Sequence, residues 1–349
     1  MKGYKAFEKG LVCKGKQYAE NTIFEEENAK VCECGMHFCE NPLDVLDYYP
    51  LIDNNGELTE FAEVEALDEV LTDDNKKYCT KKLKIGAKLD LPAFVKASID
   101  FQFEKTPVEK TIKKSKSASG DSSKLAASGD YSKLAASGNS SKLAASGDYS
   151  KLAASGNSSK LAASGYSSKL AASGDSSKLA ASGDSSQLAA SGNSSKLAAS
   201  GDYSKLADSG DYSKLAASGY SSKLAASGDS SQLAASGDSS KLAASGYSSQ
   251  LAASGDYSKL AASGYSSKLA ASGYSSQLAA SGNYSVVVGI GVNTIAKAVK
   301  GCWITLAEWK YDDEKEATIP VCVKTEYVDG KRIKENVFYK LVDGEFTEV

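Results

Sequence analysis

Residues 129–146 read Gly-Asp-Tyr-Ser-Lys-Leu-Ala-Ala-Ser-Gly-Asn-Ser-Ser-Lys-Leu-Ala-Ala-Ser. They span two periods of a nine-residue phrase, Ala-Ser-Gly-(Asp/Asn/Tyr)-(Ser/Tyr)-Ser-(Lys/Gln)-Leu-Ala, which recurs from Ala118 to about Ser285. We number its positions 1 to 9 from the first alanine. Nearly half of this 349-residue chain is therefore a one-dimensional array. Such arrays serve as rods, spacers or binding surfaces more often than as sites of chemistry.

The regular leucine distinguishes between the possible folds of this array. In an α-helix, which turns about 100° per residue, leucines nine residues apart would alternate between opposite sides and form no apolar stripe. A disordered linker needs no bulky apolar residue in fixed register. Strand alternation instead directs Ser132, Leu134 and Ala136 inward. The corner that follows, residues 137–139, needs a glycine with positive φ and an Asn or Asp that bonds to the backbone.

The variable positions show that two phrases make one coil. Counted from the phrase that contains Leu125, asparagine occurs only in odd phrases and tyrosine mostly in even ones. This predicts a thin two-sided β-solenoid of about 18 residues per coil, with roughly nine coils, a length of about 45 Å and one tyrosine-rich face. The candidate binding residues are the even-phrase tyrosines Tyr131, Tyr149, Tyr166, Tyr203, Tyr220, Tyr257 and Tyr274.

The sequence on either side of the repeats predicts two further domains. We expect a mainly β protein with an acidic α+β head (residues 1–104), a basic junction (105–117), the solenoid (118–292) and a β capping domain (293–349) that can join two copies of the chain. In the head, residues 57–66 and 78–89 are typical of strands, and Pro42–Tyr49 and Pro92–Ala97 of short helices.

The capping domain shows the signals of a small antiparallel sheet. Residues 303–309, 318–327 and 337–341 have strand character, and the Asp-Gly pairs at Asp329 and Asp343 predict hairpin turns.

Charge and cysteine content restrict the class of partner and the compartment. The head has 13 lysines against 21 acidic residues, whereas the repeats have 14 lysines and 11 aspartates. Without a basic stripe, direct nucleic-acid binding is not expected. No secretory signal and no long apolar run is present, so we expect no membrane association and a cytoplasmic protein whose seven cysteines are reduced.

One cluster in the head has the residue types of a metal site. Cys32, Cys34, His37 and Cys39 lie within eight residues. Their Cys-x-Cys spacing differs from a zinc knuckle, and strand alternation scatters them over both sides, so we predict no metal and no cofactor. The repeats lack the second glycine of calcium-binding nonapeptides and the threonine ladders of ice-binding faces. No catalytic motif is present, and we predict a protein that is not an enzyme.

The head resembles an uncharacterised family of phage and prophage proteins. The residues that carry the resemblance are the segments Gly3–Phe7, Cys13–Tyr18 and Gly35–Val45, the last with its Gly-x-His-x-Cys-x-Asn-Pro-Leu-Asp motif, followed by Ser-Gly-x-x-Ser-x-Leu-Ala repeats. The tail is similar through Gly301–Ile304 and Tyr339–Gly344. The resemblance implies a phage origin and a role inside an infected bacterium, without implying an activity.

These features favour a non-enzymatic interaction protein whose rod binds a host protein, with inhibition of host defence as the implied role. Two alternatives remain open. The rod can be a spacer or virion component that only sets distance. The head also resembles small ADP-ribosyltransferase-like folds, with an early Tyr-x-x-Phe strand and a Gly-x-His-x-Cys strand before a helix, although a Ser-Thr-Ser strand and a catalytic Glu loop are not recognisable.

Overall fold

The computed structural model describes residues 1–31, 33–49, 59–90, 93–94, 97–98, 101 and 115–349. The chain divides into two compact units, residues 1–101 and 102–349. Strands of the first unit are β1 (Lys2–Phe7), β2 (Val12–Cys13), β3 (Lys16–Gln17), β4 (Ile23–Glu25), β5 (Met36–Cys39), β6 (Glu60–Ala66), β7 (Val70–Thr72), β8 (Lys77–Thr80) and β9 (Lys82–Leu89).

The head is built on an antiparallel sheet of seven strands in the order β4-β9-β6-β1-β5-β8-β7. Its core contains Phe7, Phe38 and Ile85, each at most 2% exposed. The predicted first helix is a 3₁₀ helix, Pro42–Asp47, capped by the Asn41 side chain, which accepts a hydrogen bond from Leu43 N. Of the second, only Ala93, Phe94, Ala97 and Ser98 are described, and they are helical. The described part of the head thus has little helix.

The repeats form a parallel β-solenoid, as predicted. Its phrases give one four-residue strand each: β10 (Ser115–Ala118), β11 (Lys124–Ala127), β12 (Lys133–Ala136), β13 (Lys142–Ala145), β14 (Lys151–Ala154), β15 (Lys160–Ala163), β16 (Lys169–Ala172), β17 (Lys178–Ala181), β18 (Gln187–Ala190), β19 (Lys196–Ala199), β20 (Lys205–Asp208), β21 (Lys214–Ala217), β22 (Lys223–Ala226), β23 (Gln232–Ala235), β24 (Lys241–Ala244), β25 (Gln250–Ala253), β26 (Lys259–Ala262), β27 (Lys268–Ala271) and β28 (Gln277–Ala280).

Every strand pairs in parallel with the strand 18 residues away, as Leu134 does with Leu152. Even-numbered strands belong to a sheet of 13 strands, and odd-numbered ones to a sheet of 12. The coils continue through β29 (Val286–Gly289), β30 (Ile295–Ala298) and the start of β31 (Trp303–Asp312), whose sequences have left the phrase. The solenoid therefore has about 11 turns rather than nine.

The interior contains the residues that strand alternation predicts. The position-8 leucines from Leu134 to Leu278 are at most 2% exposed, and burying one leucine contributes about 1.5–3 kcal/mol. Position-6 serines from Ser132 onward are also buried, and apart from Ser276 they donate a hydrogen bond to the glycine carbonyl three residues earlier, as Ser141 Oγ does to Gly138 O at 2.6 Å. The position-9 alanine, predicted to face outward, is exposed in the 12-stranded sheet (Ala144) but buried in the 13-stranded sheet (Ala171).

The corner geometry corrects one prediction. Positive φ belongs to position 5, as in Ser140 (56°) and Tyr149 (56°), and not to the glycine. Glycine is required for a different reason, since a Cβ on Gly156 would lie 2.2 Å from Gly138 O in the preceding coil. The coils stack so closely at this corner that only hydrogen fits.

The tail closes the solenoid with two antiparallel hairpins. β31 turns into β32 (Ala317–Tyr327), the last strand of the 12-stranded sheet. β33 (Tyr339–Val342) pairs with β30 and with β34 (Glu345–Glu348) through a turn at Asp343 and Gly344. The turn at Asp329 is not a hairpin, because β32 and β33 pair with other strands. The neighbouring Val328 and Ile333 are buried and hold this loop against the core.

Candidate functional site

The seven tyrosines predicted to bind a partner lie in one row along the solenoid. They occupy the corners that precede strands of the 13-stranded sheet, at an edge of the rod and not on a sheet face. Their exposed fractions run from 41% for Tyr274 to 64% for Tyr131. We call this row the tyrosine edge: Tyr131, Tyr149, Tyr166, Tyr203, Tyr220, Tyr257 and Tyr274.

Neighbouring rings on the tyrosine edge contact one another. Tyr131 and Tyr149 are stacked, with centroids 5.1 Å apart and planes at 8°. Three further pairs are T-shaped: Tyr149–Tyr166, Tyr203–Tyr220 and Tyr257–Tyr274. Such pairs contribute about 0.5–1.5 kcal/mol beyond the burial of their area. The contacts hold the rings in place while a large part of each ring stays open to solvent.

Aspartates fix the backbone next to these rings. At position 4, an Asp or Asn side chain accepts a hydrogen bond from the backbone N–H of the residue 18 positions later. Asp148 Oδ1 accepts from Tyr166 N at 2.8 Å, and Asp202 Oδ1 accepts from Tyr220 N at 2.8 Å. The bond to the backbone predicted for Asn and Asp therefore exists, but it joins adjacent coils rather than closing its own corner.

The opposite edge also carries tyrosines, but fewer of them. Tyr212, Tyr247, Tyr265 and Tyr284 lie at corners before strands of the 12-stranded sheet, and the last three contact one another in sequence. A shallow apolar groove crosses ten coils of that sheet, beside its position-9 alanines and position-2 serines.

The predicted metal candidates do not form a cluster among the described residues. Cys32 lies outside these residues, Cys34 is exposed, and His37 and Cys39 belong to β5. No group of three or more potential ligands occurs in the described part of the chain. None of the six cysteines in that part of the chain forms a disulfide. The pKa of His37 is lowered, chiefly by burial and then by the nearby charge of Lys5.

A buried lysine that sequence analysis missed lies beside this strand. Lys5 is 3% exposed, and its Nζ donates a hydrogen bond to His37 O at 2.9 Å. The rings of Phe7, Tyr18 and Tyr49 surround it, with centroids 5.6, 5.7 and 6.0 Å away. Burial lowers the pKa of Lys5. An amine of lowered pKa can act as a nucleophile or base, but so little exposure gives a substrate no access, and the amine is held by internal contacts.

Comparison with known proteins gives one family. A model described as a domain of unknown function, DUF7666, matches residues 1–97, which is the head alone. No curated protein matches the chain, and no solved structure matches it. Among the described helices, none is long and apolar enough to cross a membrane.

Proposed function

We propose that this is a non-enzymatic interaction protein whose solenoid binds a macromolecule through the tyrosine edge. One observation carries the proposal: seven aligned tyrosines remain 41–64% exposed although the fold does not need them. Asp or Ser occupies the same corners in other coils, for example Asp184 and Ser185. Aromatic side chains with high exposure and restricted motion are favourable contact residues in protein interfaces. Repetition along the rod adds multivalency without a single strong site.

The setting proposed for this interaction rests on the sequence resemblance to phage proteins. We place the protein in the cytoplasm of an infected bacterium, where the partner is a host protein and binding inhibits host defence. The ADP-ribosyltransferase-like alternative gains no support from Lys5 or His37, which are positioned by internal contacts of the head.

A capture experiment separates a binding rod from a spacer. Full-length protein and the variant Tyr149→Ser/Tyr203→Ser/Tyr257→Ser are each used to capture partners from the host cytoplasm. Serine already occupies position 5 in most coils, so the variant keeps the fold. A partner that is lost with this variant but retained by Tyr212→Ser/Tyr284→Ser, which alters the opposite edge, supports the proposal. A partner retained by both variants identifies the rod as a spacer.

The capping hairpin is the proposed contact between two copies of the chain. β32 ends the 12-stranded sheet, so one side of this strand has no neighbour in that sheet. Val321 and Val323 on it are 48% and 60% exposed. Long apolar edge strands readily pair with another strand. Sedimentation equilibrium should show a dimer that Val323→Lys converts to a monomer, and a monomeric wild-type protein contradicts this assignment.

A further inference from the structure

The tyrosine edge has a longer period than the coil. From Asp148 onward, positions 4 and 5 read Asp-Tyr, Tyr-Ser and Asp-Ser in three successive coils, and the series then starts again 54 residues later. The first unit consists of Asp148-Tyr149, Tyr166-Ser167 and Asp184-Ser185. The second unit consists of Asp202-Tyr203, Tyr220-Ser221 and Asp238-Ser239. The third unit has only its first two corners, Asp256-Tyr257 and Tyr274-Ser275. A three-coil step is about 14 Å along the rod.

The opposite edge does not keep this period. Where the tyrosine edge repeats Asp-Tyr, the corner one phrase later reads Asn157-Ser158, Asp211-Tyr212 and Tyr265-Ser266 in the three units. Both edges have the same backbone conformation, with positive φ at position 5. The corner backbone is therefore alike at both edges, and units that are identical on one edge alone indicate a role other than forming the corner.

The three units are also alike in three dimensions. The pairs Tyr149–Tyr166, Tyr203–Tyr220 and Tyr257–Tyr274 have centroid distances of 5.9, 5.7 and 5.6 Å and interplanar angles of 72°, 80° and 72°. In each unit the aspartate before the first tyrosine accepts a hydrogen bond from the backbone N–H of the second tyrosine, at 2.8, 2.8 and 2.7 Å. The rod thus presents three copies of one aromatic and acidic arrangement.

The backbone conformation shows that these tyrosines are placed at a cost. Tyr149, Tyr203 and Tyr257 have φ of 56°, 56° and 55°. Left-handed backbone is unfavourable for residues with a Cβ, and bulky side chains are rare there. Serine fills the same position in most coils. A ring repeated at this position every third coil is therefore a feature that the fold alone does not explain.

The charge of the tyrosine edge selects a cationic ligand. Its corner positions carry six aspartates and neither lysine nor arginine: Asp130, Asp148, Asp184, Asp202, Asp238 and Asp256. One oxygen of each accepts a backbone N–H of the next coil, and none of the six forms an ion pair with a described residue. Phenol ring faces and free carboxylate oxygens both attract cations.

We propose that each unit binds one lysine or arginine side chain of an extended, basic peptide segment that carries such a residue at every fourth position. The inference rests on the proposed function and names the chemistry of its partner. Four residues of extended chain cover about 13.5 Å, which matches the three-coil step of the tyrosine pairs. Three weak sites on one rod then act together as a single binding surface.

Fluorescence anisotropy with the full-length protein tests this spacing. The probes are two labelled peptides of the same composition, one with arginine at every fourth residue and one with arginine at every third. We expect the first peptide to bind about tenfold more tightly, and to lose that advantage with Tyr149→Ser/Tyr203→Ser/Tyr257→Ser. The matched control, Tyr212→Ser/Tyr284→Ser, should bind it like wild type. Equal affinity for both peptides, or unchanged binding by the triple variant, overturns the proposal.

Removing one coil provides a second test of the spacing. Deletion of Asp184–Gly201 takes out 18 residues and places the first two tyrosine pairs two coils apart, at about 10 Å. Because the phrase register is kept, every later residue stays on its own edge. The deletion should weaken binding of the peptide with arginine at every fourth residue, because the first two tyrosine pairs no longer match its spacing. If its affinity stays the same while a host partner still requires the tyrosines, the peptide proposal is wrong and the proposed function stands.

If neither peptide binds and a neutral oligosaccharide binds at the tyrosine edge instead, the ligand class is wrong. If no macromolecule depends on the tyrosines in the capture experiment, the proposed function fails as well. The two experiments therefore distinguish failure of the ligand class from failure of the binding rod.

Discussion

Ser213 Oγ lies 2.8 Å from Asp208 Oδ1 and also 2.8 Å from Gly210 O. The hydroxyl has one proton and can donate it to only one of these two acceptors. Asp208 Oδ1 also accepts a hydrogen bond from Gly210 N at 2.7 Å. Asp208 replaces a position-1 alanine inside the solenoid and is fully buried, and its Oδ2 has no hydrogen-bond partner among the described residues. Burial therefore favours the neutral carboxyl, and the hydrogen bonds from Ser213 and Gly210 offset only part of that effect.

Burial raises the pKa of Asp208 to about 7. The unfolded value is about 3.9, so the contribution of Asp208 to stability is greatest below pH 4, falls between pH 4 and 7, and is lower by about 4 kcal/mol above pH 7. Asp208→Ala and the isosteric Asp208→Asn should both remove this pH dependence. Urea unfolding across pH 4–8 measures it, and equal pH profiles for wild type and Asp208→Asn would contradict a raised pKa.

Because glycines of adjacent coils lie in close contact, the effect of a Gly→Ala substitution on stability should depend on its position in the solenoid. Gly156→Ala places a Cβ 2.2 Å from Gly138 O. We expect a loss of about 1–3 kcal/mol, the range for overpacked sites. Gly120→Ala is the control, since the described atom nearest to its Cβ would be Ser123 Oγ at 3.9 Å. The control should change stability by less than about 1 kcal/mol. Equal effects in thermal unfolding would exclude stacking as the reason for glycine.

Substitutions at two adjacent residues of β21 test whether the leucine side chain points into the solenoid. Leu215 is 1% exposed, and Ala216 faces solvent. Leu215→Asp buries a carboxylate among leucines, without the serine that assists Asp208, and should cost at least about 3 kcal/mol. Ala216→Asp should leave the β-sheet circular dichroism and the melting temperature nearly unchanged. Matching melting curves for the two variants would mean that the strand faces the other way.

Sequence periodicity was sufficient to predict the solenoid, its 18-residue coil and the inward leucine, because strand alternation and the odd–even split of Tyr and Asn act over many phrases. Periodicity was less reliable where a single contact determines the conformation of a residue. The conformational freedom of glycine predicts positive φ at Gly138, but the residue with positive φ is Ser140. Gly138 is required because the backbone of the neighbouring coil leaves no room for a Cβ. The solenoid predicted from the sequence ends at residue 292 and so includes β29 but not β30 and the start of β31, because these strands keep the register without the phrase.

At the candidate site, too, the sequence predicts the repeated pattern better than the contacts of single residues. The odd–even split predicts that these tyrosines share one side of the rod, but their place at an edge rather than on a sheet face depends on where each corner turns. Lys5 gave no signal, because a lysine in a polar segment is ordinarily exposed, and its burial depends on rings that are distant in sequence, such as Tyr49. The three-coil period was present in the sequence throughout, and it becomes visible once positions 4 and 5 of even phrases are read as one edge.

Thiol cross-linking gives a direct measure of the coil length. Ser158 and Ser176 are both at position 5 and lie on adjacent coils of one edge, 18 residues apart, whereas Ser167 lies midway in sequence on the other edge. Stacked strands are about 4.8 Å apart, which a short bifunctional thiol reagent spans. Ser158→Cys/Ser176→Cys should therefore cross-link within the chain, and Ser158→Cys/Ser167→Cys should not. Mass spectrometry of the digested protein identifies the linked pair, and a cross-link between residues 158 and 167 would rule out a two-phrase coil.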